Sequence, residues 1–207
     1  MRTANKSELR ALPCSYDARE PIIDQLTLEI NYGKHHIICC EDFITAIKGT
    51  EIESMVIQDI IRNLSKFLMA FRNSDRVFLY HASYRGGIKD FGDGLPTGNM
   101  SDVQTESFTS FDEVEKQFLD ACKTLSDKSH TWLCLDDTGY LYIGSTPDQD
   151  IPQIDIDEEK GILLTEIDAM ERAYYQKYLN KRPVYIDTFR NVVNSSEVAK
   201  RYEEALN

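Results

Sequence analysis

The sequence predicts an α+β fold, with a mixed or antiparallel sheet built from two hairpins plus a central strand and helices packed mainly on one face. Three observations carry that prediction. Short runs with strand-like alternation occur in pairs joined by turn residues. Amphipathic stretches open on capping boxes. Strands and helices do not alternate as a chain of βαβ units would.

Taken in order, residues 1–20 show no clean periodicity and are broken by Pro13, with Pro21 just beyond; they read as an N-terminal arm. Residues 21–207 read as a single domain, with 164–207 as a helical C-terminal extension. Leu26, Leu28 and Ile30 alternate with Thr27 and Glu29, a turn follows at Gly33, and Ile37 and Ile38 lie in the next apolar run. This predicts a first hairpin over 26–40. Thr50 and Glu53 form a capping box ahead of a broad apolar stripe from Ile52 to Phe71, which predicts a central helix. Residues 77–82 read as the third strand. Residues 100–109 are polar and read as irregular. Ser110 and Glu113 open a helix to about 125. Residues 131–143 form the clearest hairpin, with Asp136, Asp137, Thr138 and Gly139 in its turn. A helix is expected over 165–179, stopped at Arg182 and Pro183. A short strand is expected over 184–187, and Asn194 caps a last helix over 198–206.

Composition narrows the function classes. Residues 1–100 carry 13 acidic and 12 basic side chains, and residues 101–207 carry 22 and 11, so nearly all of the net charge of −12 sits in the second half. Such a surface repels nucleic acid and anionic membranes and suits a protein partner with a basic surface. No apolar run of eighteen residues occurs, so no membrane span is expected. The N-terminus lacks the apolar core of a signal peptide. Five cysteines without a CxxC pair suit a reducing, cytoplasmic compartment.

The densest functional signal is the stretch 85–98, which holds five of the ten glycines. Arg85, Gly86, Gly87, Lys89, Asp90, Gly92, Asp93 and Gly94 are the candidate ligand or partner loop. Glycine at that density marks sharp turns or close backbone approach. The stretch is neither a P-loop nor a GxGxxG fingerprint. Tyr80, His81 and Arg85 are the alternative catalytic group. Leu79, Tyr80 and His81, followed by Asp90 to Gly94, resemble the nicotinamide-binding strand and following segment of ADP-ribosyltransferase-like domains, although Leu95-Pro-Thr stands where Gly-Phe-Tyr is expected. That resemblance implies a strand histidine on the NAD ribose and a nucleotide- or NAD-using enzyme with its site at 80–98.

Asp155, Asp157, Glu159 and Glu166 fall at positions 1, 3, 5 and 12 of an EF-hand-like loop, a weak alternative cation site. Lys160 occupies the position that needs glycine. His35, His36, Cys39 and Cys40 look metal-like, but on a strand each same-face pair would be roughly 13 Å apart. No residue set requires a cofactor or metal, and none is expected. The sequence therefore predicts a non-enzymatic interaction or regulatory protein, such as an inhibitor, immunity-type protein or assembly factor. It would dock on its partner through the acidic C-terminal half or the glycine loop.

Overall fold

The computed structural model describes residues 15–55, 86–89, 92, 94–125, 129–147 and 161–206. At the N-terminal end, helix replaces the hairpin expected over 26–40. Helix α1 spans Gln25–Ile30, a π-helical turn spans Asn31–His36, and α2 spans Ile37–Ile47. The decisive residue is Asp24. Its carboxylate accepts the Thr27 backbone N–H at 2.9 Å and the Thr27 hydroxyl at 2.6 Å, which nucleates the helix. The alternation over 26–30 is too short to separate the two periods, and Gly33 lies within the π turn instead of a hairpin turn.

Thr50 does not cap as expected. Its hydroxyl donates to the Ile47 carbonyl at 2.6 Å and closes the end of α2. Glu53 accepts the Gly49 N–H at 2.9 Å, and Glu51–Ser54 forms one 3-10 turn. The rest of the helix expected over 52–71 lies outside the described residues, as does the strand expected over 77–82.

The second hairpin is present as expected. Strands β1 (Ser129–Leu135) and β2 (Leu141–Pro147) pair antiparallel around the turn at Asp136. Asp136 Oδ1 accepts from the N–H of Thr138 and of Tyr140, each at 2.9 Å, and Gly139 takes a positive φ of 91°. A third strand, β3 (Ile162–Asp168), pairs antiparallel on the other side of β1, giving the order β2-β1-β3. This corrects the helix expected from residue 165. Ile162, Thr165 and Ile167 are β-branched, and the strand is buried on both sides, so the run carries no helical stripe.

The helices cover the sheet. Helix α3 (Asn99–Phe108) occupies the passage expected to be irregular; it turns at Gly98 and ends at Thr109 with a positive φ of 74°. Helix α4 (Phe111–Thr124) starts as predicted, with Ser110 accepting the Glu113 N–H at 3.2 Å. Helix α5 (Glu171–Tyr178) is the part of the expected 165–179 helix that forms. Helix α6 (Arg182–Phe189) replaces the strand expected at 184–187. Pro183 sits in its first turn, where its missing N–H costs nothing. Helix α7 (Ser195–Ala205) is capped by Asn194, which accepts the Glu197 N–H at 3.2 Å.

The α+β class and the antiparallel sheet therefore hold, while the first hairpin does not contribute to the sheet. One sheet face carries Leu133, Leu135, Leu141 and Ile167 into a core with Val114, Phe118, Tyr185 and Phe189. Arg182 locks that core, donating to the carbonyls of Ala169, Leu125 and Cys122 at 3.0, 3.1 and 3.1 Å. No described helix is long and apolar enough to cross a membrane.

Candidate functional site

The opposite sheet face is polar at its centre. The register places His130 across from Asp168 and from Thr146, and Trp132 across from Glu166. Alternation sends all five to the same side. His130, Trp132, Glu166 and Asp168 are each at most 3% exposed. The His130 and Trp132 rings lie 5.4 Å apart, and the indole N–H donates to the Thr146 hydroxyl at 2.6 Å.

Asp168 ends β3 and directs the chain into the next helix. Its Oδ1 accepts the Met170 N–H at 2.9 Å, which turns the backbone into α5. Its Oδ2 accepts from Arg172 Nε at 3.3 Å, one helical turn further on. The π-helical turn reaches the same place from the N-terminal end, where Asn31 Nδ2 donates to the Arg172 carbonyl at 3.4 Å. Asn31 Oδ1 is buried and has no hydrogen-bond partner among the described residues. This site therefore joins two distant stretches of chain around one carboxylate and one guanidinium.

Of these residues, only Glu166 is a candidate site residue by sequence. The available signal is Asp168 and Arg172 at one-turn spacing, an ordinary helix pair. It becomes informative only once β3 places Asp168 in the sheet. Glu166 lies within β3, not at the end of a calcium loop. Asp155, Asp157 and Glu159 lie outside the described residues, as do Tyr80, His81, Arg85, Asp90 and Asp93. The side chains of His35, His36, Cys39 and Cys40 are likewise not described.

The described part of the glycine stretch is strapped to the turn before α7. Lys89 N–H donates to Val192 O at 2.7 Å and Gly92 N–H to Asn191 O at 2.6 Å. Asn194 N–H donates to Gly87 O at 2.8 Å, its side chain donates to Gly86 O at 3.1 Å, and Ser195 Oγ donates to Gly94 O at 2.7 Å. A Cβ on Gly92 would stand 2.9 Å from the Val193 carbonyl, so glycine is required there by close backbone approach.

Comparison with known proteins gives one consistent result. Residues 96–201 match the family described as iron/manganese superoxide dismutases, C-terminal domain, and residues 6–84 match the alpha-hairpin domain of the same family. A protein named superoxide dismutase [Mn] from Acinetobacter baylyi is 34% identical over 197 residues, covering 94% of this chain and 86% of its own. Proteins of the same name from Listeria ivanovii and Listeria monocytogenes are each 36% identical over 203 residues, covering 96% of this chain and 98% of their own.

These matches overturn the expectation of a non-enzymatic interaction or regulatory protein, because the similar proteins are named for a reaction. They also displace the ADP-ribosyltransferase-like resemblance and the cation-loop alternative. The polar centre falls where both matched stretches meet, with Asn31 in the first and Asp168 and Arg172 in the second.

Manganese and iron are held by imidazole and carboxylate donors. The described residues at Asp168 do not fit such an ion. Both Asp168 oxygens already accept hydrogen bonds, one of them from a permanent cation. A guanidinium has no lone pair to give and cannot be deprotonated in a protein. A divalent ion about 4 Å from that guanidinium would be opposed by on the order of 8 kcal/mol at an effective dielectric of about 20. Of the four histidines in the sequence, only His130 lies within 96–201, and its ring packs on Trp132. Among the described residues no group of three His, Cys, Asp or Glu side chains is placed to hold a metal.

Proposed function

Since this chain belongs to the iron/manganese superoxide dismutase family, we propose that it is a member in which an internal cation takes over the position beside the central carboxylate, so that manganese- or iron-dependent superoxide dismutation is not run at Asp168. The observation that carries this reading is the contact of Arg172 Nε with Asp168 Oδ2 at 3.3 Å. The buried carboxylate is neutralised from within the chain, and Asn31, which reaches the centre from the other matched stretch, adds only a neutral amide. A cytoplasmic location is part of the same proposal, resting on cysteine usage. So is indifference to nucleic acid and anionic membranes, resting on the acidic second half.

The test is metal content and superoxide removal measured on one preparation. The protein is purified from cells supplied with manganese and, separately, with iron, beside the Listeria ivanovii relative. The expected result is less than about a tenth of an ion per chain and a rate at least about a hundredfold below the relative's, since metal-centred chemistry requires the bound ion. About one manganese or iron per chain with a comparable rate would overturn the proposal.

A further inference from the structure

The apolar side of the sheet holds a cavity that has no part in the centre at Asp168. Its volume is about 90 Å³. It lies between α3, α4, α6, α7 and the sheet, lined by Phe111, Val114, Phe118, Leu133, Phe189 and Val198. Five polar side chains also line it: Gln104 from α3, Thr165 from β3, Ser195 at the start of α7, and Glu115 and Arg190, which pair at 3.3 Å. Gln104 and Thr165 are 3% and 6% exposed. Gln104 Oε1 and Thr165 Oγ1 are both buried without a hydrogen-bond partner among the described residues.

A buried polar atom left without a hydrogen-bond partner is unfavourable, so two at one cavity ask for an occupant. Water satisfies the polar atoms but not the walls. A buried water needs two to four polar partners, and the other polar groups of the lining are already engaged, Ser195 Oγ on the Gly94 carbonyl and Arg190 on Glu115. A hydrocarbon satisfies the walls and leaves both oxygens orphaned. A hydrocarbon bearing one hydroxyl satisfies both. Its O–H donates to the Gln104 carbonyl oxygen, and its oxygen accepts from the Thr165 hydroxyl, which has a proton to give. Three phenylalanines favour a flat ring. Apolar walls with a few placed polar groups are the usual make-up of a small-molecule site. We infer that this cavity binds a small aromatic or cyclic alcohol of about the size of phenol, with Thr165 and Gln104 reading its hydroxyl.

The experiment titrates the full chain with phenol, with cyclohexanol and with benzene, following binding by calorimetry and by the melting midpoint. Saturable one-site binding of phenol or cyclohexanol is expected, tighter than benzene. Thr165→Val keeps the shape and removes the hydroxyl. It is expected to weaken phenol about fivefold, the loss of one hydrogen bond, and to change benzene less than about twofold. Val114→Phe fills the cavity and is expected to abolish binding of all three. Absence of saturable binding by every probe would overturn the inference, as would phenol binding indifferent to Thr165→Val. Should Val114→Phe fail to fold, the Thr165→Val comparison decides alone. None of these outcomes bears on metal content, so this inference and the proposal at Asp168 stand or fall separately.

Discussion

The two faces of the β2-β1-β3 sheet are buried to a similar degree and held by different physics. On one, Leu133, Leu135 and Ile167 meet Val114, Phe118 and Phe189, and area removed from water supplies the stability. On the other, His130, Glu166 and Asp168 are buried beside Trp132, and burial there is unfavourable unless each polar group is matched. The family relationship is informative on the second face. An apolar face tolerates exchange of one hydrophobe for another of similar volume. A buried carboxylate does not tolerate loss of its cation, so a change of cation must be internally complete. Arg172 supplies that completion at Asp168 from one helical turn away.

Truncation separates the two faces most strongly. Phe118→Ala on the apolar face is expected to cost about 4 kcal/mol of unfolding free energy, the transfer term plus a cavity, with little dependence on salt. Arg172→Ala on the polar face is expected to cost about 3 kcal/mol, because it takes the guanidinium away from the buried Asp168 carboxylate. Denaturant unfolding measures both. The sharper test is coupling, since most of the Arg172→Ala loss should disappear when Asp168→Asn is already present. Simple additivity would show that the pair does not hold the centre.

A smaller effect is expected one strand away. Trp132→Phe keeps an aromatic ring and deletes the N–H that donates to Thr146 at 2.6 Å. The expected cost is about 1 kcal/mol, a single buried hydrogen bond. A cost as large as that of Phe118→Ala would mean that indole packing, not the hydrogen bond, dominates that face.

The apolar face is partly legible in the sequence and the polar centre is not, for a local reason. The turn at Asp136 to Gly139 and the caps Ser110 and Asn194 are written in adjacent residues, so β1, β2, α4 and α7 can be found from them. The helical start at Asp24 is also local but is outweighed by the alternation of Leu26, Leu28 and Ile30. Pro183 has the look of a helix stop yet stands in the first turn of α6. The centre draws Asn31 to Arg172 across 141 positions, and only the register of β1 on β3 brings His130 opposite Asp168. No periodicity records such a meeting. The glycine stretch stands out because it is dense, yet Gly92 is explained by contact with the backbone before α7.

The finest test concerns a titrating group on the apolar face. Burial pushes the Cys122 thiol from its ordinary 9.0 up to about 11. The neutral thiol is the form the core accepts. In the unfolded chain the thiol releases its proton near its ordinary value, whereas the folded chain keeps it until about 11. Between those values the folded state binds more protons, so stability is complete below about pH 9 and falls as pH rises through the window. The loss attributable to this group is on the order of 2 kcal/mol. Tyr202, raised in the same direction by burial, adds to the slope at the alkaline end, so the difference from a reference variant is the quantity to read. Cys122→Ala should unfold more easily at about pH 8 but with a shallower decline from about pH 9 to 11 than the unaltered chain. The thiol should also resist alkylation at about pH 8 until the protein is unfolded. Parallel declines, or ready alkylation of the folded protein, would show that the face around Cys122 admits water and that the two sheet faces differ less than their side chains suggest.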